Sequence, residues 1–193
     1  YDAAAVSELK GQGKAVYYES SRGCPYACAF CASASEPPRL RSLKLVLPEL
    51  EQLAEIGGQI KFVDRTFNAD PERAIAITER VLALHRPGLS WHFEISPARL
   101  NPELVALWLA APRNYLKLEM GVQTLHAPAL AAIRRVDSWA EAEPLVKRII
   151  AAGNTHLHLD LIAGLPADTP SGFARSFHRL HQLDADYLQF GFL

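Results

Sequence analysis

His156-Leu157-His158-Leu159-Asp160-Leu161-Ile162 is the stretch from which the architecture is read. Side chains alternate across a β-strand. Leu157, Leu159 and Leu161 therefore share one face, and His156, His158 and Asp160 share the other. Two further segments repeat the pattern. Leu116, Leu118 and Met120 oppose Lys117, Glu119, Gly121 and Gln123, while Trp91, Phe93 and Ile95 oppose His92, Glu94 and Ser96. Purely structural parallel strands are apolar on both faces. Here carboxylates recur on one face. The apolar face asks for a cover of helices, and the polar face then turns inward. Unpaired buried carboxylates are costly, so the interior is expected to be a wet or ligand-filled cavity. An open sheet with one solvated face is the alternative.

Outward from that strand the chain alternates between strand-like and helix-like runs. Strands are expected over residues 15–20, 60–64, 90–95, 115–122, 156–162 and 187–192. Helices are expected over 48–56, 71–84, 102–109, 139–152 and 170–183. Asp70-Pro71, Asn101-Pro102 and Thr169-Pro170 each place a capping side chain before a proline at the first helical position. Gly57 and Gly153 sit where helices should stop. The β/α alternation predicts an α/β fold of six parallel strands joined by helical crossovers. Trp91 and Trp108 fall on apolar faces and are assigned to the core.

The chain has 193 residues and a formal net charge of −1, with no run of Lys or Arg, so no nucleic-acid surface is expected. No apolar run reaches the roughly 18 residues of a membrane span, and residues 1–13 carry no secretory pattern. These features lead to the expectation of a cytoplasmic protein. The absent initial Met and the final strand-like run suggest a piece of something longer. Residues 1–14 are read as a linker from an upstream domain, and 15–193 as the catalytic core, shortened at its C-terminal side.

The three cysteines all fall in Ser21-Arg22-Gly23-Cys24-Pro25-Tyr26-Ala27-Cys28-Ala29-Phe30-Cys31. Three cysteines cannot close a disulfide framework, and clustering at this spacing indicates a metal site in a reducing compartment. Three thiolates on one loop reach three corners of an Fe–S cube and leave the fourth iron open to chemistry. Zinc is the rival. It takes a closed tetrahedron in structural sites, and no histidine lies nearby in sequence to complete one.

Cys24, Cys28 and Cys31 in CxxxCxxC spacing directly after a first strand, with Phe30 before the last, resemble the radical S-adenosylmethionine superfamily. The resemblance implies a partial (β/α)6 TIM-type barrel. It also implies a [4Fe–4S] cluster whose open iron binds the amino and carboxylate groups of S-adenosylmethionine. Reductive cleavage of that sulfonium to a 5′-deoxyadenosyl radical, with flavodoxin or ferredoxin as electron source, would follow. Phe93-Glu94-Ile95-Ser96-Pro97 resembles the third-strand motif of the coproporphyrinogen-oxidase-like branch, which makes Glu94 the ribose contact. A carboxylate accepts from both hydroxyls. Gly121-Val122-Gln123 resembles that branch's fourth-strand motif and implies that Gln123 touches the cofactor. Arg135 resembles the arginine of the following helix, with Arg134 a near-equal candidate. Residues 160–166 resemble the fifth-strand motif, implying that Asp160 and Ile162 line the adenosine and that Gly164 lets backbone approach it. Tyr18 resembles a tyrosine ahead of the cluster loop that touches the cofactor.

The chain departs from the superfamily after its second strand. Val63-Asp64-Arg65-Thr66-Phe67-Asn68 stands where a Gly-Gly-Glu-like motif often holds the methionyl amino group, so Asp64 or Thr66 is the expected replacement. The combined wording resembles a subgroup with a cobalamin-binding domain ahead of the radical domain and a poorly characterised one behind it. It implies cobalamin-linked chemistry through an upstream domain. The rival function is a non-catalytic Fe–S or zinc protein serving electron transfer or structure. Glu94 and Asp160 on inward faces discriminate, because a structural metal loop has no use for them.

Overall fold

The computed structural model describes residues 8, 14–32, 36–135 and 138–193. Apart from Glu8 and Lys14, the expected linker over residues 1–14 lies outside the described residues. The strands are β1 (Val16–Tyr18), β2 (Ser21–Arg22), β3 (Arg39–Leu40), β4 (Gly58–Phe62), β5 (Leu89–Ile95), β6 (Leu116–Gln123), β7 (His156–Ala163) and β8 (Tyr187–Phe192). The helices are α1 (Leu43–Ile56), α2 (Pro71–Ala83), α3 (Pro102–Leu109), α4 (Ala127–Ala132), α5 (Trp139–Ala152) and α6 (Pro170–His181).

Six strands form one sheet in the order β1-β4-β5-β6-β7-β8. Every neighbouring pair is parallel. The order follows the chain and, among the described residues, β1 does not pair with β8, so the wall is part of a barrel left open between those two strands. β2 and β3 make a short antiparallel ribbon that brackets the cysteine loop.

The expected alternation is present. Leu116, Leu118, Met120 and Val122 are buried while the residues between them are half-buried. β7 alternates likewise from Leu157 to Leu161. The buried face meets the helices through Val46, Leu50, Ile77, Leu104, Val146 and Ile149. Phe62 lies 4.9 Å from Phe93, and Phe67 stacks on Phe93 at 4.1 Å, ring centre to ring centre. Fully burying one such ring is worth about 1.5–3 kcal/mol. Phe67 stands in a 3-10 turn after β4, so its burial pins the 63–68 segment to the sheet end. Trp91 Nε1 donates to the Tyr115 hydroxyl at 2.9 Å, which donates to the Val81 carbonyl at 2.6 Å, giving two buried polar groups partners.

Caps read from the sequence are in place. Asp70 accepts from the Arg73 N–H, Asn101 from Glu103 and Leu104, and Thr169 from Gly172. Gly153 ends α5 in the left-handed conformation at φ 60°. The first helix differs from expectation. It begins at Leu43, with Ser42 Oγ accepting from the Lys44 N–H, and carries Pro48 inside it. The proline marks the interior rather than the start. Helix α4 and the β2–β3 ribbon were not expected.

Candidate active site

Cys24, Cys28 and Cys31 sit on the loop between β2 and β3, above the C-terminal end of the sheet, where barrel sites are built. The loop is fastened at many points. Gly23 has φ +87°, and a Cβ there would fall 2.4 Å from the Pro37 carbonyl oxygen, so only glycine fits. The Cys24 N–H donates to the Glu36 carbonyl, the Cys31 N–H to that of Cys28, and the Ala29 N–H to that of Ile133. Phe30 packs on the small cluster of Ala129, Ile133 and Leu165. The Tyr26 hydroxyl lies 2.8 Å from Ser96 Oγ, and the Arg135 guanidinium stands 5.6 Å over the Tyr26 ring.

Below the loop is a cavity of about 250 Å³. The three cysteines, Phe30 and Thr66 form its upper lining. Glu94 comes from β5, Gln123 from the end of β6, Arg135 from beyond α4 and Asp160 from β7. Nine residues marked in the sequence thus meet in one space. Arg135 is buried and lines the cavity, whereas Arg134 is exposed at φ 58°, which separates the two candidates. Arg135 follows helix α4 and is not part of it.

The register of β6 on β7 shifts between Gly121 and Gln123, and Gln123 adopts φ 69°. Such bulges re-aim a side chain at a sheet end. The room for Gln123 comes from Gly121, where a Cβ would fall 2.4 Å from Gln123 Nε2 and 3.9 Å from Arg135 Nη1.

Four expected contacts are not among the residues that line this cavity. Tyr18 is buried on the helix-facing side of β1, and its hydroxyl donates to Glu49 Oε2 at 2.7 Å and accepts from Arg41. Val16 and Tyr18 point outward together, so Tyr17 takes the inner face. Asp64 accepts four hydrogen bonds from the N–H and hydroxyl groups of Ser20 and Ser21, at 2.5–3.1 Å. A carboxylate offers about four acceptor sites. Asp64 is therefore spent on bracing the chain that enters the cysteine loop and does not reach the cavity. Ile162 packs against the Ala129–Ile133–Leu165 cluster. Gly164, at φ +87°, turns the chain out of β7 beside Leu193. Thr66 remains at the cavity, with Oγ1 3.5 Å from Cys24 Sγ and donating to the Arg65 carbonyl.

Tyr26, Ser96 and Glu119 line the cavity beyond the expected set. Ser96 and Glu119 were legible as inward positions of their strands. Tyr26 carried no signal beyond its place between two cysteines. On the sheet floor Lys61 Nζ lies 3.4 Å from Glu94 Oε1 and 3.2 Å from Glu119 Oε2. His92 Nε2 is 2.9 Å from Glu119 Oε2, an electrostatic contact without hydrogen-bond alignment. The His92 contact, aided by Lys61 and opposed by burial, holds the Glu119 carboxyl down at about 2. Asp160 behaves oppositely. Burial first, then Glu119 and Glu94, push its carboxyl up to about 7. Its Oδ1 is buried with no hydrogen-bond partner. Burial and the nearby His92 lower the His158 pKa, favouring a neutral ring.

The Radical SAM superfamily pattern matches residues 18–180. The chain belongs to the Radical SAM superfamily. It is 30% identical over 172 residues to the tRNA-2-methylthio-N(6)-dimethylallyladenosine synthase of Chlorobium phaeovibrioides, covering 83% of this chain and 38% of that protein. It therefore spans well under half the length of that relative. Its fold matches that of TsrM, a radical S-adenosylmethionine methyltransferase from Kitasatospora setae with cobalamin and a [4Fe–4S] cluster bound. The TM-score is 0.80 at 19% identity, over 93% of this chain and 37% of that one. The coproporphyrinogen III oxidase HemN of Escherichia coli matches with a TM-score of 0.67 at 18% identity, over 99% of this chain and 48% of that one. The partial barrel expected from the sequence is the fold of these proteins.

Members of the superfamily bind a [4Fe–4S] cluster and S-adenosylmethionine, and the residues present fit both. Three cysteines line one cavity. Among the described residues, no three His, Cys, Asp or Glu side chains are grouped as a site for a single metal ion. A single ion needs donors converging on one point, whereas a cube spreads its thiolates over separate irons. The unpartnered Asp160 oxygen, buried at the cavity wall, suits a polar ligand beside it.

Proposed function

We propose that this chain is the core of a radical enzyme that holds a [4Fe–4S] cluster on Cys24, Cys28 and Cys31 and binds S-adenosylmethionine across Glu94, Gln123, Arg135 and Asp160. The observation that carries this reading is the meeting of all seven side chains around one cavity, although they come from five separate parts of the chain. The cluster, when bound and reduced, supplies the electron that cleaves S-adenosylmethionine into methionine and a 5′-deoxyadenosyl radical for hydrogen abstraction.

The protein's own part is positioning and exclusion of water. Glu94, half-buried on β5, accepts from the two ribose hydroxyls. Gln123, turned inward by the bulge, offers an amide to the ligand's polar edge. Asp160, with its carboxyl near 7, is able to donate as well as accept beside the adenosyl part. Thr66 takes the methionyl ammonium in place of the missing acidic residue, since Asp64 is fully engaged with Ser20 and Ser21. Phe30 and Tyr26 close the upper side. A reducing cytoplasmic setting and a flavodoxin or ferredoxin as electron source fit the three clustered cysteines. Cobalamin-linked chemistry through an upstream domain is part of this reading, on the strength of the motif wording and the fold shared with TsrM.

The test is turnover. Anaerobically reconstituted protein given S-adenosylmethionine and a strong reductant is expected to release 5′-deoxyadenosine and methionine in equal amounts. Cluster-replete protein that forms neither contradicts the reading.

A further inference from the structure

Lys61 was marked by no motif, and no fold argument requires it. It stands on β4 facing inward, about three-quarters shielded from solvent, between two carboxylates. Glu94 and Glu119 are direct cross-strand partners on β5 and β6. Like charges directly opposite each other on a sheet repel. Lys61 Nζ reaches both, at 3.4 Å and 3.2 Å. Burial disfavours its charge, yet Glu119 and then Glu94 outweigh that and keep the ammonium firmly protonated. Asp160, across from Gly121 on β7, feels the same two carboxylates, with Lys61 opposing them.

We infer that Lys61 is a positioning residue for ligand binding: it holds the Glu94 carboxylate aimed at the cavity against the charge of Glu119. The inference rests on the reading of Glu94 as the ribose contact. Lys61 does not line the cavity itself, so it acts through Glu94. Without it, Glu94, Glu119 and Asp160 are three carboxylates sharing one wall with His92 as the nearest partner. Repelled by Glu119, Glu94 then swings away, and so placed it serves two hydroxyls poorly. The same logic says which second change undoes the damage. Removing the charge of Glu119 removes the repulsion that Lys61 balances.

The experiment is calorimetric titration of S-adenosylmethionine into reconstituted protein, with iron and sulfide measured for each variant. Lys61→Met is expected to weaken binding about tenfold, the scale of one charge-assisted hydrogen bond. Adding Glu119→Gln to it is expected to restore affinity to within about threefold of the parent, a non-additivity that a double-mutant cycle isolates. A purely structural lysine gives no such rescue. Lys61→Gln carries the same test should the Met variant fail to fold. Parent-like binding by the Lys61 variants, alongside weak binding by Glu94→Ala, overturns the inference and leaves the reading of Glu94 intact. Weak binding by Lys61→Met that Glu119→Gln fails to relieve also overturns it. Unchanged binding by Glu94→Ala overturns the reading of Glu94, and the inference with it.

Discussion

The Ala29 N–H donates to the Ile133 carbonyl at 3.0 Å, joining the middle of the cysteine loop to the end of α4. Two residues further on, Arg135 covers the Tyr26 ring. The metal-binding loop and the β6–α4 side of the cavity are thus one packed unit, and a change in either is felt at the other. Arg135→Ala is expected to lower S-adenosylmethionine affinity about tenfold and to loosen the loop, read as faster loss of iron to a chelator. Chelation at the parent rate would separate the two sides.

Cys28 is buried and lines the cavity. Cys28→Ala is expected to abolish iron and sulfide incorporation while far-ultraviolet circular dichroism stays at the parent level. Full iron and sulfide in that variant would remove the cysteine from the ligand set.

Asp64 has four donors and is 2% exposed. Asp64→Ala leaves the Ser20 and Ser21 groups without partners in the interior. The expected loss is about 3 kcal/mol or more in urea unfolding of the metal-free protein. A site residue that served only the ligand would show little change there and a large one in affinity.

Asp160 carries a pH signature of defined sign. Its carboxyl rises from 3.8 unfolded to about 7 folded, through burial and then Glu119 and Glu94. Folding takes up a proton between those values, so this group's contribution is most favourable below about pH 4 and is lost as pH rises through 7. At about 1.4 kcal/mol for each pH unit the cost at pH 8 is at most about 4 kcal/mol. Asp160→Asn is therefore expected to stabilise the ligand-free protein at pH 8 by roughly 1–3 kcal/mol and to change little at pH 4, while weakening S-adenosylmethionine binding. Paired urea titrations at the two pH values check the first part and calorimetry the second.

Gly121→Ala puts a methyl group 2.4 Å from Gln123 Nε2 unless that side chain leaves. The expected result is a fall in affinity with normal cluster content. Unchanged affinity would show that Gln123 is not a contact.

The parallel sheet and its inward polar face were legible because strict alternation over β5, β6 and β7 leaves one assignment of faces. The cysteine loop was legible from its spacing, and Glu94, Gln123 and Asp160 were named through the resemblance of their motifs, whereas Arg135 and Arg134 are told apart only by burial in the structure. What escaped has physical causes. Tyr18 and Tyr17 are adjacent, and only the outward packing of Val16 reveals which one faces inward. β4 ends at Phe62, so alternation no longer governs Asp64, and its serine partners lie more than forty residues away. Helix α4 spans six residues, too few to show a period. Lys61 is one charged residue on a short strand, and its meaning appears only once β4, β5 and β6 stand side by side.

The most direct measurement is the electron paramagnetic resonance spectrum of the reduced, anaerobically reconstituted protein, with and without S-adenosylmethionine. A [4Fe–4S]⁺ signal that shifts on adding S-adenosylmethionine is the expected result, because the ligand then sits on the iron that Cys24, Cys28 and Cys31 leave open. A cluster signal indifferent to S-adenosylmethionine, or a protein that takes up zinc and forms no cluster, would contradict the account.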